Sequence, residues 1–364
     1  MTVAALLLAY AAGTGTLGAR MLARAGWTAR APLLAILIYL AAAWSVIAAL
    51  ALAGLTLAVH ATVLGGALSQ LIGACVLRLR PRPGRPAWRT WPGAGLVLTG
   101  AVAVRTALSA AGHLRITRRQ ALRHARTARL VGRPEPALGA VLLEHSQPAA
   151  YCVAGRHPTV ILTTGALQAL APGQLEAVLA HERAHLAWRH HRLLAMARIS
   201  RRALPFLPLM RDTEAQVQRL VELHADDAAV RARDPGSLAT ALVVLATAVS
   251  APTSASAAAA DPAPVLAAAG PAPVLAAAGP APVLTAIAGP APVLTAIAGP
   301  APVLASAAAD AVQRIHRLLR PAEPLGRPRR LLLRAMAAGL ALGPLVTALA
   351  PAVLALALGR VPHP

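Results

Sequence analysis

The sequence predicts a multi-span α-helical membrane protein that also carries a mainly α (α+β) domain outside the membrane. Hydrophobic residues make up 57% of the 364 residues, charged residues only 13%, and the mean hydropathy is +0.59. Soluble domains are closer to half apolar and a quarter charged. Four apolar stretches are candidates for bilayer-crossing helices, and amphipathic segments between the third and the fourth predict the remaining domain.

The four apolar stretches divide the chain into its predicted regions. They cover residues 2–17, 32–59, 91–114 and 331–358. Residues 1–114 are therefore predicted to be a membrane region with three helices, and the fourth helix follows the other domain. Arg105 lies inside the third stretch. We expect its side chain either to reach the membrane interface or to face a polar cavity.

The distribution of arginine predicts the topology. All 35 residues counted as Lys or Arg are arginine, against 13 acidic residues, and the formal net charge is +22. Arginine-rich flanks of membrane helices stay in the cytoplasm. The two heaviest clusters lie in residues 115–133 and 314–330, so we expect residues 115–330 to be cytoplasmic. The arginines of residues 78–89 do not fit this arrangement, and a fifth helix within 55–77 is the alternative.

The same charge excess predicts the partners of the basic segments. Arginine beside a membrane helix faces anionic lipid, and we expect the flanks to contact the lipid bilayer. Nucleic acid is a weaker interpretation, because no aromatic residues are interleaved with the arginines as a stacking surface would require. The use of arginine without lysine, with abundant Ala, Leu, Pro and Gly, points to a bacterial genome of high GC content.

A proline-alanine repeat separates the cytoplasmic domain, residues 115–250, from the last helix. PAPVLAAAG and PAPVLTAIAG each occur twice within residues 251–309. Prolines in every unit prevent a continuous helix, so we predict a low-complexity linker; a re-entrant membrane segment is the alternative. Residues 310–330 form a basic juxtamembrane segment.

The chemistry is concentrated in one predicted helix, residues 172–195, with Pro172 in its first turn. His181 and His185 lie one turn apart, beside Glu182. Two imidazoles at this spacing can bind one metal ion, and the adjacent carboxylate can accept a proton from water. We therefore predict a zinc site with Glu182 as general base. A solvated charged helix is the alternative interpretation.

A catalytic zinc ion needs a third protein ligand. The better candidate is Glu222, in a second helix that we expect to start at a capping box of Thr213 and Gln216 and to stop at residues 234–236. Asp226 lies one turn after Glu222 and can hydrogen-bond a ligand histidine. A solvated acidic face is the alternative interpretation of this pair.

His191 is the other candidate for the third ligand. It has the spacing of the third histidine in the longer HExxHxxGxxH pattern, but Trp188 occupies the position where that pattern needs a glycine to turn the chain. We expect His190, His224 and Asp227 to be surface or supporting residues.

The motif AVLAHERAHLAWRHH followed by ELHADDAA resembles the BlaR/MecR-type membrane zinc metallopeptidases, a branch of the gluzincins. The upstream segment AAYCVAGRHPTVILTTGALQAL is similar to the strand and helix that precede the zinc helix there and in HtpX-like peptidases. The resemblance implies a gluzincin-type peptidase domain that binds one Zn2+ per chain. By this resemblance the zinc ligands are His181, His185 and Glu222. Glu182 is the general base, and Asp226 is the supporting residue.

The resemblance also implies a function. It predicts a multi-pass metalloendopeptidase of the cell membrane that cleaves a protein substrate at the cytoplasmic side, with a cytosolic repressor in a signalling pathway as the model substrate. Antibiotic-sensing members carry an extracellular penicillin-binding domain after the last helix. Only a few residues follow position 358 here, so we expect no β-lactam sensing of that kind.

Residues 149–162 would form the strand beside the active-site cleft, where an extended substrate can pair by β-augmentation. Tyr151 and His157 are candidates for stabilising the oxyanion, although ordinary strand residues are the simpler interpretation.

Two other classes of function compete with a peptidase. One is a catalytically silent membrane signalling or scaffold protein with a structural zinc site, which would not need Glu182. The other is a basic membrane protein that binds anionic lipid or nucleic acid through residues 115–133, with steep salt dependence.

Overall fold

The computed structural model describes residues 2–63, 91–155, 158–250, 311–321 and 323–357. The chain forms two compact units. The first, here the apolar unit, comprises Met1–Ile116, His190–Glu222 and Glu323–Pro364. The second, here the sheet unit, comprises Thr117–Arg189 and Leu223–Ala322. The repeat of residues 251–309 lies outside the described residues, so its predicted linker role stays a prediction.

The elements follow one another along the chain as eleven helices and four strands within the described ranges. They are α1 Thr2–Gly13, α2 Ala19–Ala23, α3 Pro32–Val63, α4 Trp91–Val131, β1 Gly132–Glu135, β2 Ala140–Leu143, β3 Ala150–Val153, β4 Thr159–Thr163, α5 Thr164–Ala169, α6 Pro172–Ala187, α7 His190–Ala203, α8 Pro208–Ala229, α9 Pro235–Ser250, α10 over residues 311–319, and α11 Arg327–Ala357. A π-helical turn, Thr14–Gly18, joins α1 to α2.

Four helices of the described chain are long and apolar enough to cross a membrane. They cover Thr2–Ala23, Pro32–Val59, Gly93–Arg119 and Arg327–Pro351. The first is longer than predicted because the π-helical turn continues it, and the third continues as α4 through the basic residues to Val131. These apolar helices suggest a membrane protein. Residues 64–90, with most of the alternative fifth helix and the 78–89 arginines, are outside the described ranges.

Small residues set the packing of α3 against α4. A Cβ added to Gly95 would lie 2.5 Å from the Gly54 carbonyl oxygen, and one added to Gly54 would lie 2.6 Å from the Gly95 oxygen. The Thr99 hydroxyl donates to the Ala51 carbonyl, with 3.0 Å between the oxygens. Close backbone approach and hydrogen bonds of this kind are how apolar helices associate in lipid, where burial supplies little driving force.

Arg105 has its acceptors within the apolar unit. Its Nε donates to the Ala203 carbonyl at 2.9 Å and its Nη2 to the Arg202 carbonyl at 3.3 Å. These carbonyls lie at the C-terminal end of α7, where the last turn of a helix lacks partners of its own. The Arg105 guanidinium thus caps the end of α7, while its position relative to the membrane interface stays a prediction.

The turn between α7 and α8 belongs to the same apolar core. Leu204, Leu209 and Met210 are buried in a cluster with residues of α1 and α3, such as Leu7 and Val46. Helix α8 starts at Pro208, so the predicted start at Thr213 is wrong. Thr213 is buried inside the helix. Proline is well suited to a first helical turn because its missing N–H needs no partner there.

Helix α8 also ends earlier than predicted. Its last residue is Ala229 rather than a residue next to Asp234. Asp234 instead caps α9, because its Oδ2 accepts from the Ser237 N–H at 2.7 Å. The buried face of α8 includes Val217, Leu220 and Val221.

The sheet unit is built on a four-stranded sheet with the order β1-β2-β4-β3. Strand β2 runs parallel to β4, and β3 runs antiparallel to β4 at the edge. The segment 149–162, expected to be one strand, is therefore split between β3 and β4. Helix α6 packs on one face of this sheet through Val178 and Leu179, which share clusters with Leu162 and Val160.

We expect Gly95→Ala to destabilise the helix pair of α3 and α4, because the new methyl group meets the Gly54 backbone rather than a movable side chain. The free energy of unfolding should fall by about 1–3 kcal/mol, measured by thermal unfolding in detergent. The matched control is Gly100→Ala on the same helix, where a Cβ meets nothing within 4 Å. A loss of stability in the control equal to that of Gly95→Ala would contradict this account.

Candidate metal centre

Helix α6 presents the histidine motif and ends sooner than predicted. The Gln174 side-chain oxygen accepts from the Ala171 N–H at 2.9 Å, which stabilises the start beside Pro172. The helix stops at Ala187. Arg189 has a φ of 51°, in the left-handed region, and α7 begins directly after it. The prediction of one helix over residues 172–195 is therefore wrong at its second half.

His181 and His185 turn the same ring atom toward each other. Their Nε2 atoms are 3.1 Å apart, and the ring planes are inclined by 66°. His181 is buried and His185 is half-buried. Two nitrogens bound to one tetrahedral zinc ion lie roughly 3.3 Å apart, given Zn–N distances of about 2.0–2.1 Å. The two rings are therefore arranged to share one ion.

Glu222 completes the group. One possible ligand atom from each of His181, His185 and Glu222 lies within 4.8 Å of the others. Glu222 is buried on α8. Two imidazoles and one carboxylate are a donor set typical of catalytic zinc, which leaves a fourth position for water or substrate. The residues present thus fit the ion that the sequence predicts.

Asp226 lies on the other side of the His181 ring. Its Oδ1 is 3.0 Å from the His181 Nδ1. A carboxylate in this position accepts the Nδ1 proton, which leaves Nε2 free as the metal ligand. Asp226 is only 1% exposed. The structure thus supplies the supporting contact expected one turn after Glu222.

Arg314 compensates the buried charge of Asp226. Its Nε and Nη2 donate to the two carboxylate oxygens of Asp226, at 2.8 and 2.7 Å. Burial alone raises the pKa of Asp226. The Arg314 charge and the hydrogen bonds from Arg314 and His181 outweigh burial and hold that pKa well below its usual range.

Sequence reasoning missed this arginine. Residues 310–330 were expected to be a basic segment facing lipid, yet Arg314 is 4% exposed and bound to Asp226. Arg317, about one helical turn after Arg314 on α10, pairs with Asp227 at 2.7 Å. Nothing in the local sequence separates these two arginines from the other arginines of the segment. The adjacent acids Asp226 and Asp227 on α8 are the one signal that could have suggested a basic partner from elsewhere in the chain.

The neighbouring histidines have different environments. His191, the alternative third ligand, is exposed and is not in the metal-ligand group. His190 and His224 are buried, so neither is a surface residue, and the supporting role remains as the prediction for both. The His224 ring contacts Trp188 edge to face, with centroids 4.8 Å apart. Burial lowers the pKa of His224, Arg231 lowers it further, and Asp227 opposes both.

Glu182 is buried on α6, next to His181 in sequence, and its role as general base stays a prediction. Tyr151 does not serve the site. Successive strand residues face opposite sides, and Tyr151 packs with Ile161 and Val153 in a cluster apart from α6. Burial raises its pKa to about 12. The oxyanion role considered for Tyr151 is therefore wrong, and His157 lies outside the described residues.

Residues 117–284 match the model of peptidase family M48. The matched region contains the three candidate ligands, Glu182 and Asp226, and it ends before Arg314. No curated protein and no solved structure matches the chain significantly. The match supports a zinc metallopeptidase family for this domain, since M48 peptidases are typically zinc-dependent, but it does not single out the BlaR/MecR branch.

The depressed pKa of Asp226 predicts how the metal-free protein responds to acid. A folded-state pKa below the unfolded value adds stability that is fully present above the ordinary carboxyl pKa of about 4 and is lost as pH falls through the lower folded value. Asp226→Asn should therefore cost about 3–5 kcal/mol at pH 7, because it leaves Arg314 buried without its partner. The variant should then lose less stability than the wild type between pH 5 and pH 2.

Urea unfolding in detergent at several pH values measures both effects. Asp227→Asn is the control, since it removes the acid next in sequence, whose partner Arg317 is more exposed than Arg314. Equal acid sensitivity of the wild type and Asp226→Asn would contradict the assignment.

Proposed function

We propose that the M48 peptidase domain makes this chain a membrane-associated zinc metalloendopeptidase. The observation that carries the proposal is the convergence of His181, His185 and Glu222, with ligand atoms within 4.8 Å of one another. The first two would bind through Nε2 and the third through a carboxylate oxygen. A zinc ion held there supplies Lewis-acid chemistry, which polarises a carbonyl group and makes water acidic near neutral pH.

The residues around the ligands have separate tasks in this proposal. Glu182 accepts the proton of the attacking water and later delivers it to the nitrogen of the leaving amine. Asp226 keeps the Nδ1 proton on His181, so that the ring presents its Nε2 lone pair to the metal. Burial of Glu182 and Asp226 keeps bulk water from competing for their hydrogen bonds.

The edge strand β3 is the proposed substrate platform. It pairs with β4 on one side, and its other side is the open edge of the sheet as described. Ala150 and Cys152 lie in clusters with residues of α6, so β3 runs beside the metal-binding helix. An extended substrate that adds a strand at this edge brings a backbone carbonyl toward the metal ligands without any requirement for its side chains.

The cellular setting rests on charge and on the family resemblance. Residues 115–133 are arginine-rich, and the positive-inside rule places such a segment, with the peptidase domain, in the cytoplasm. By resemblance to the BlaR/MecR-type peptidases, a cytosolic repressor is the proposed substrate class, within a bacterial signalling pathway. Anionic lipid would contact the exposed arginines at 327–330.

Zinc content per chain tests the ligand set. The detergent-purified wild type should hold about one zinc ion per chain, and Glu222→Ala should lose most of it, because two ligands alone do not retain zinc against dialysis. His191→Ala should keep its zinc, since His191 is exposed and outside the ligand group. Zinc retained in Glu222→Ala and lost in His191→Ala would overturn the assignment.

Glu182→Gln tests catalysis separately from metal binding. Because the amide cannot accept a proton, we expect cleavage of unfolded casein to fall by about 10²–10⁴-fold while zinc content stays at the wild-type value. Proteolysis that persists in this variant would exclude Glu182 as general base. A wild type that holds zinc yet cleaves neither casein nor any protein of the native membrane would favour the scaffold interpretation.

A further inference from the structure

Helix α10 contributes two arginines that pair with acidic residues of α8 next to the metal centre, and it lies after the end of the family match in the sequence. It covers residues 311–319, whereas the match to peptidase family M48 ends at residue 284. Arg314 and Arg317 of this helix bind Asp226 and Asp227 of α8. The two pairs differ in burial: Arg314 is 4% exposed, and the side chain of Arg317 is 18% exposed.

The contacts form a chain from Arg314 to the metal-binding nitrogen. Arg314 donates one hydrogen bond to each carboxylate oxygen of Asp226, at 2.7 and 2.8 Å. Asp226 Oδ1 lies 3.0 Å from His181 Nδ1. The opposite ring nitrogen, Nε2, faces His185 at 3.1 Å. The orientation of the His181 ring therefore depends on a carboxylate whose own rotamer is held by Arg314.

We propose that Arg314 is a positioning residue of the metal centre, which holds the Asp226 carboxylate in the rotamer that orients His181 toward the ion. This inference rests on the proposed function. Arg317 has no such role, because it pairs with Asp227, whereas the carboxylate next to His181 is that of Asp226.

The chemistry of arginine explains why this residue type is needed. A carboxylate that is 1% exposed stays ionised only beside a compensating charge. The planar guanidinium donates two parallel hydrogen bonds, which fixes the plane of the carboxylate as well as its charge. A glutamine at position 314 would keep some polarity and lose both the charge and the paired donors.

Zinc affinity of the full-length protein in detergent, measured by competition with a chelator, tests the proposal. We expect Arg314→Gln to raise the zinc Kd by about 10–100-fold, the range for residues that support a metal ligand from outside. Arg317→Gln is the matched control on the same helix and should stay within about twofold of the wild type. An unchanged Kd in Arg314→Gln, or an equal loss in Arg317→Gln, would overturn the proposal.

A double-mutant cycle separates positioning from a general effect on folding. If Arg314 acts through Asp226, then Arg314→Gln should weaken zinc binding no further in a protein that already carries Asp226→Asn. The double variant also removes both buried charges together, so we expect it to fold even if a single variant, which leaves one buried charge unpaired, does not. Additive losses in the cycle would assign Arg314 to general stability and refute the positioning role.

The visible absorption of the Co2+-substituted protein gives a readout that stability alone does not move. The ligand-field bands should change in Arg314→Gln and not in Arg317→Gln, because only the first alters a ligand ring. Glu222→Ala distinguishes failure of the proposed ligand set from failure of the proposed role of Arg314. Zinc that is insensitive to Glu222→Ala would refute the proposed ligand set, whereas zinc lost in Glu222→Ala and bound normally in Arg314→Gln would refute only the role of Arg314.

Discussion

The buried ion pair between Asp226 and Arg314 joins the helices that carry the candidate metal centre. It joins residues that are 88 positions apart in sequence, on α8 and α10, and its carboxylate also meets His181 on α6. A buried carboxylate is costly unless a cation and hydrogen bonds compensate it. The Asp226 carboxylate can therefore be buried at low cost only when α6, α8 and α10 have come together, so this arrangement forms as the unit folds.

Local spacing was enough to predict which side chains come together. His181 and His185 fall one helical turn apart, and so do Glu222 and Asp226, because each pair lies within one helix whose apolar positions define its buried face. The convergence of these two helices is confirmed by the grouping of both histidines with Glu222. The roles of the ligands, the base and the supporting acid stay predictions, because they concern chemistry with a bound ion.

Other features depended on information that the local sequence does not contain. The end of α6 is set by Arg189 in a left-handed conformation, which arginine seldom adopts and glycine would have signalled. The sequence also does not predict which side of the sheet Tyr151 faces. Strand β3 is the apolar run Ala-Tyr-Cys-Val, and no alternation of polar and apolar residues distinguishes its two faces. Arg314 was one of many arginines, and only tertiary structure distinguishes the one that is buried.

Local capping signals also competed with one another. Thr213 and Gln216 have the spacing of a capping box, yet α8 starts at Pro208 and buries Thr213. The apolar residues Leu209 and Met210 gain more from packing in the core of the apolar unit than the helix would gain from that cap. Asp234 does act as a cap, but for α9 rather than as the end of α8.

The hydrogen bonds of Arg105 have a consequence for how the protein fits its membrane. An arginine in an apolar helix ordinarily sets the depth of that helix, because its side chain must reach the headgroups. Here the guanidinium is bound by the carbonyls of Arg202 and Ala203 at the end of α7. These bonds hold α4 against the end of α7, so in a thinner or thicker bilayer we expect the two segments to shift together rather than to slide past each other.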